Sequence, residues 1–153
     1  LPREGVWFRA VGDRGSIGDV MCDPPVHGRG YLPHMDDKIN LAQKLAQFDE
    51  HWSPRIVGYL NDYKVMVVKV RDEFVWHSHA DTDDFFLVLN GKVTIELRDR
   101  DVELSEGELF VVPRGVEHRP RADEEAHLLL IEPLGTPNTG DAGGSLTATE
   151  QEV

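Results

Sequence analysis

The sequence predicts an all-β domain with one short helix ahead of it, and three observations predict it. Beyond Pro54 the hydrophobic period is two rather than 3.6. Turn residues recur at close intervals from there to Pro133, as they do in sandwiches and barrels. The connections between them are too short for the crossover helices that a parallel sheet needs, which excludes an α/β architecture.

Size and charge bound the rest. A chain of 153 residues with 40% of them hydrophobic closes one core, so a single domain is expected. No stretch approaches the roughly 18 to 20 apolar residues of a membrane helix, and no secretory h-region opens the chain, so the expectation is a soluble, cytoplasmic protein. Cys22 is the only cysteine, which forbids an intrachain disulfide and leaves histidine and carboxylate as the ligands for any metal site. A formal net charge of −12 repels phosphate backbones and anionic lipids, so neither nucleic acid nor membrane is an expected partner.

Residues 1–34 contain six glycines and four prolines without a period, a composition that reads as disordered. The first patterned element follows Met35, so the leader is expected either to be disordered or to precede a true start at that methionine. The competing expectation is a leader that adds a strand to a barrel edge through Val6, Trp7, Phe8 and Val11. Next, Leu41, Leu45, Phe48 and Trp52 recur at helical spacing with Asn40 as a cap, which predicts a helix over 40–52. His51, at its end, reads as structural or exposed.

The predicted strands are 56–60, 63–70, 74–79, 84–89, 93–98, 102–104, 109–112, 116–120 and 127–132. Val93, Ile95 and Leu97 alternate with Thr94, Glu96 and Arg98, so one face of that strand is buried. Asn90-Gly91 predicts a hairpin over 84–98, because both residues tolerate positive φ. Asp99 to Asp101 and Ser105 to Gly107 mark two further turns. The domain is expected to span 35–134, followed over 135–153 by a flexible tail with neither period nor bulk.

Chemistry concentrates in histidines. His77 and His79 stand two apart on a predicted strand, which puts both imidazoles on one face about 6 to 7 Å apart along the chain, within reach of one ion. His118 follows the turn at Pro113-Arg114-Gly115 and joins them if its strand lies alongside. His127 reads as a packed strand residue instead of a further ligand.

The spacing continues beyond the histidines. Four residues separate His79 from Asp84, six more precede Gly91, and Gly107 is followed by Pro113, Gly115 and His118. Over 62–133 this series resembles the two motifs of the cupin superfamily. The closing EPLGTPNTGD is similar to the ends of small bacterial single-domain cupins of type 2, often labelled mannose-6-phosphate-isomerase-like. The resemblance implies a double-stranded β-helix, that is, a jelly-roll barrel. It also implies one divalent metal ion held by His77, His79, Asp84 and His118, a small-molecule ligand, and a homodimer formed through outer strands, with 64–70 supplying an edge.

The chain departs from the family pattern at Arg71 and Ala122, where a glycine and an asparagine are usual, and at Asp84, where glutamate is usual. Aspartate is shorter by about 1.5 Å. Asp84 therefore either ligates directly from a strand set closer to the ion, or acts through a water or as acceptor for an imidazole N–H. Asp83 should point away from that face. The alternative is a cupin that has lost its metal and buries the three imidazoles as polar core.

Iron, manganese, nickel and zinc all suit such ligands. Phe86 and Val88, on the same face as Asp84, should line a small apolar pocket. The expected function is a metal-dependent enzyme of dioxygenase or isomerase/lyase type acting on a small oxygenated molecule, and the alternative is a non-catalytic binder or sensor. Tyr59, Tyr63 and Glu117 are the candidate acid-base groups.

Overall fold

The computed structural model describes residues 8–11, 17–20 and 38–153. The chain forms two units, residues 1–37 and 38–153. In the first, β1 (Phe8–Val11) and β2 (Ile17–Val20) pair antiparallel with each other, so these eight residues are strand where a leader without regular structure was expected. The rest of the leader, including Met35, lies outside the described residues.

The second unit begins with α1 (Leu41–Leu45), whose first turn is capped by the Asn40 side chain accepting from the Gln43 N–H at 3.1 Å. The helix was expected to continue to Trp52 and stops well short of it. Residues 51 and 52 are needed elsewhere. His51 bridges to Lys69, the Trp52 N–H donates to Lys69 O, and the Trp52 indole donates to Arg71 O. These bonds satisfy a stretch of strand backbone beyond the reach of its neighbour, and buried backbone groups must find partners somewhere. Leu45 and Phe48 still pack against Val67, as their spacing implied.

The strands are β3 (Arg55–Leu60), β4 (Tyr63–Glu73), β5 (Asp84–Asn90), β6 (Lys92–Leu97), β7 (Asp101–Ser105), β8 (Leu109–Val112), β9 (His118–Pro133) and β10 (Gln151–Glu152). They roll into a jelly-roll β-barrel around β9, the longest of them. β4 runs along one edge of β9 for its whole length. Along the other edge β6 pairs with the start of β9 and β5 with its end. β8 flanks β5, β7 flanks β6, and β3 flanks β4.

This arrangement corrects three expectations. β5 and β6 both run antiparallel to β9, so the chain does not reverse at Asn90-Gly91 and no hairpin forms there. Only Gly91 is left-handed, at φ 82°, whereas the two-residue turn needs both residues so. Gly91 instead lets the chain pass close to Ala126, where a Cβ would lie 3.0 Å from the alanine's own Cβ. The predicted strands 116–120 and 127–132 are parts of one strand, β9, because the polar stretch between them bulges and does not end it. The segment 64–70 lies within β4, with β9 along one side and β3 followed by residues 51 and 52 along the other, so it is not an open edge strand.

Alternation places the core as expected. Val93, Ile95 and Leu97 face Phe86, Val88, Leu128 and Leu130 inside the barrel. The tail differs from expectation, since 135–153 is laid over the barrel and not free. Gln151 and Glu152 pair parallel with Arg55 and Ile56, and Thr139 is fully buried.

Candidate metal centre

His77 and His79 belong to an irregular segment between β4 and β5 and not to the expected strand 74–79. That segment is bound to the start of β9 by paired backbone hydrogen bonds. The His77 N–H donates to His118 O at 3.0 Å and the His118 N–H to His77 O at 2.9 Å. Directly bridged residues share a face, so both imidazoles turn into the barrel. The Gly115 N–H donates to His79 O at 2.8 Å, which ties the second histidine to the turn that precedes His118. Asp84 opens β5 opposite Val112. Asp83 points the other way, as alternation requires, and accepts from the Arg114 N–H.

The structure thus brings together His77, His79, Asp84 and His118, each at least 94% buried, with their ligand atoms all within 4.8 Å of one another. Asp84 Oδ2 lies 3.0 Å from His118 Nε2, 3.5 Å from His79 Nε2 and 4.0 Å from His77 Nε2. Ligands bonded at about 2.0 to 2.2 Å to one ion stand roughly 3 to 3.5 Å from their nearest neighbours, and further when opposed. The donor set therefore fits a single cation.

Two further features agree. Val75 O and Val116 O accept from the Nδ1 side of His77 and His118, at 3.0 and 2.9 Å, which fixes a proton there and turns Nε2 toward the cluster, that of His118 to within hydrogen-bond distance of Asp84 Oδ2. Two buried atoms of the group, His79 Nε2 and Asp84 Oδ1, have no hydrogen-bond partner. Buried polar atoms are nearly always satisfied, and a bound ion is one of the things that satisfies them.

Burial, then the neighbouring His118, pushes the His77 imidazole down to about 4, so it is neutral and ready to ligate. Burial acts the same way on His79, but the Asp84 carboxylate outweighs it and the balance is upward. For Asp84, burial acts upward and is overcome by His118 and His79, which hold the carboxyl below its ordinary range.

Beside the cluster a narrow cavity of about 30 Å³, room for roughly two waters, is lined by His77, Asp84, Phe86, Phe74, Trp52 and Leu130 among others. Phe86 is there as expected. None of the three candidate acid-base residues lines it. Tyr59 is exposed and donates to Glu152 at 2.6 Å, Tyr63 is exposed, and Glu117 is exposed in a two-bond pair with Arg98. Tyr59 and Tyr63 flank the β3–β4 turn, where the phase of the alternation turns them outward. Glu117 falls one residue outside the inward series that His118 begins. His127 faces outward and meets Glu125, which also holds His51.

The wall contains an acid that the sequence reading overlooked, Glu132, which is buried and pushed up to about 7 by burial and then by the negative charge of Asp84. A signal was available, since Ala126, Leu128 and Leu130 alternate inward and Glu132 is next in the series.

A jelly-roll barrel with three imidazoles and a carboxylate converging inside it is the architecture of a cupin, and the comparisons agree. The family model for the cupin domain matches residues 64–132. The uncharacterised protein YdbB of Bacillus subtilis is 31% identical over 102 residues, which cover 66% of this chain and 88% of YdbB. A crystal structure of a cupin-2 domain containing protein from Shewanella frigidimarina is 49% identical, with a TM-score of 0.62 over 62% of this chain and 93% of the other. A Neisseria meningitidis protein is 34% identical, with a TM-score of 0.59 over 63% of this chain and 99% of the other. The chain belongs to the cupin domain family. No helix among the described residues is long and apolar enough to cross a membrane.

Proposed function

We propose that the protein is a metal-dependent enzyme, of dioxygenase or isomerase/lyase type, acting on a small oxygenated molecule. His77, His79, His118 and Asp84 are the ligands of one divalent ion, with Asp84 a direct ligand. The observation that carries the proposal is the convergence of three Nε2 atoms and one carboxylate oxygen in a buried site that leaves two of its polar atoms unpartnered. When bound, such an ion supplies Lewis-acid polarisation of a substrate oxygen or redox chemistry of the dioxygenase kind. The chain's own part is positional. The carbonyls of Val75 and Val116 orient two rings, and the apolar wall of Val68, Val70, Phe74, Phe86 and Leu128 keeps bulk water from the substrate.

Elemental analysis of protein purified without a His-tag tests the site. One ion per chain in the wild type is expected, with loss in both His77→Ala and Asp84→Ala. Retention in Asp84→Ala alone would move that residue to a supporting position, and a metal-free wild type that takes up none of the four ions would end the proposal. Oxygen-uptake assays, together with diketone and sugar-phosphate screens on the loaded protein, then test turnover. Ligand binding without turnover would reassign the protein as a binder or sensor.

A further inference from the structure

Glu132 is the ionisable group of the cavity wall that the metal cluster does not use. It lies on β9 beside Lys64 of β4, and one register step from the pairing of Phe85 with Ile131, which makes Asp84 its neighbour on the other side. It is 3% exposed, and its Oε2 has no hydrogen-bond partner. Lys64 is its ion-pair partner, but only at 3.5 Å from Nζ, which makes its own hydrogen bonds to Thr136 O and Glu150 Oε1, both at 2.7 Å. The C-terminal segment thus takes two of the three N–H groups of the ammonium and leaves the carboxylate an ion pair without a hydrogen bond to Oε2. The cavity that Glu132 helps to line is largely apolar, with Val68, Phe86, Leu128 and Leu130 in its wall, none of which can donate a hydrogen bond.

Glu132 also stands where two cavities meet. The narrow one reaches His77 and Asp84. A second, of about 260 Å³, runs beneath residues 135–150 over Ile56 and Met66 and shares Pro54, Glu132 and Asn138 with the first. A molecule lying across both would meet the cluster at one end, apolar side chains along its body, and one carboxylate oxygen without a hydrogen-bond partner.

We propose that Glu132 Oε2 is the polar anchor of a ligand subsite, accepting a hydrogen bond from a hydroxyl of a small, otherwise apolar molecule whose other oxygens reach the His77, His79, Asp84 and His118 cluster. The assignment rests on the reading of that cluster as a metal centre. It names a substrate class, uncharged hydroxylated compounds, because an anionic group at the same place would face Glu132 and Asp84 together at short range. It also gives the C-terminal segment a task, since Thr136 and Glu150 take Lys64 N–H groups that would otherwise bond Oε2.

Two hydroxypyrones with the same chelating head test it. Kojic acid carries a second hydroxyl on its side arm, and allomaltol carries a methyl in place of that arm. Each is titrated into the full chain loaded with Zn²⁺. The wild type is expected to prefer kojic acid by about tenfold, the usual cost of leaving a buried acceptor unpaired. Glu132→Leu should erase the preference. Glu132→Gln, which keeps an acceptor oxygen, should retain part of it, with Zn²⁺ affinity unchanged in both. Equal binding of the two pyrones by the wild type, or a full preference surviving in Glu132→Leu, overturns the assignment. If Glu132→Leu does not fold, a preference in Glu132→Gln equal to that of the wild type overturns it. Failure of the wild type to take up Zn²⁺ counts against the metal reading instead.

Discussion

The barrel strands and the C-terminal segment laid over them hold their places by different physics. Inside the barrel, Val88, Val93, Ile95 and Leu128 are essentially inaccessible to water, and their alternation along the strands decides which way every neighbour faces. The segment 134–153 has no such alternation. It is held by particular polar bonds. Asn138 spans Leu146 O and the Ala148 N–H, Thr139 meets Thr147, Glu150 takes Lys64, and Glu152 takes Tyr59. The most consequential bonds lie at Gly140 and Asp141. The Asp141 carboxylate accepts from the Ser78 N–H at 2.7 Å and from its hydroxyl at 3.2 Å, while the Asp141 N–H donates to Ser78 O at 3.1 Å. Ser78 is the residue between two of the candidate ligands. A segment with almost nothing to bury can still be ordered where it completes the hydrogen bonding of an irregular loop. Here that loop belongs to the site.

The contrast is broken most severely in the barrel. Ile95→Ala, at a fully buried position, should cost about 3 kcal/mol in urea unfolding, and no alanine substitution within 134–153 should match it. If one does, the segment is core and not an overlay. His118→Ala should lower metal affinity by about a hundredfold or more, because it removes a ligand outright and leaves Asp84 without its nearest neighbour.

Asp141→Ala sharpens the comparison at a lower level. Losing a group that braces the ligand loop should weaken metal binding by about tenfold, read by titration with Co²⁺, with the melting temperature of the metal-free chain little changed. A large fall in that temperature with unaltered affinity would make Asp141 a purely structural contact. Gly140→Ala should act in the same direction, since a Cβ there would lie 2.2 Å from Ser78 O.

The acid response of the brace follows from its sign. The Ser78 N–H holds the Asp141 carboxyl below its ordinary value, so the contact is complete above about pH 4 and fades as the pH falls through the lower folded value. The Ser78 amide resonance should accordingly show a step below pH 4 that disappears in Asp141→Ala. The smallest effect is expected at His51, whose exposed pair with Glu125 should contribute no more than about 0.5 kcal/mol.

The legible parts of the molecule were those governed by local pattern. Val93, Ile95 and Leu97 faced inward because a strand has a period of two. The spacing of the histidines, with the family resemblance that added Asp84, named a set whose ligand atoms the fold brings within 4.8 Å of one another. Asn90-Gly91 misled because the dipeptide permits a tight reversal without requiring one, and β9 offered both flanking strands a better edge. The predicted helix ended early for a related reason, that unpaired backbone of β4 claimed residues 51 and 52.

By itself, then, the sequence determined the all-β class and the inward series, since periodicity is a property of the chain alone, while spacing pointed to the histidines and the family resemblance added Asp84. Only the tertiary structure decided that Asp84 Oδ2 lies 3.0 to 4.0 Å from the three imidazole Nε2 atoms. It also decided that Glu132 is buried without a hydrogen bond to Oε2, and that a glycine-rich tail braces Ser78. Each of these depends on residues far apart in the chain being held at hydrogen-bond distance, and no local pattern encodes such a distance.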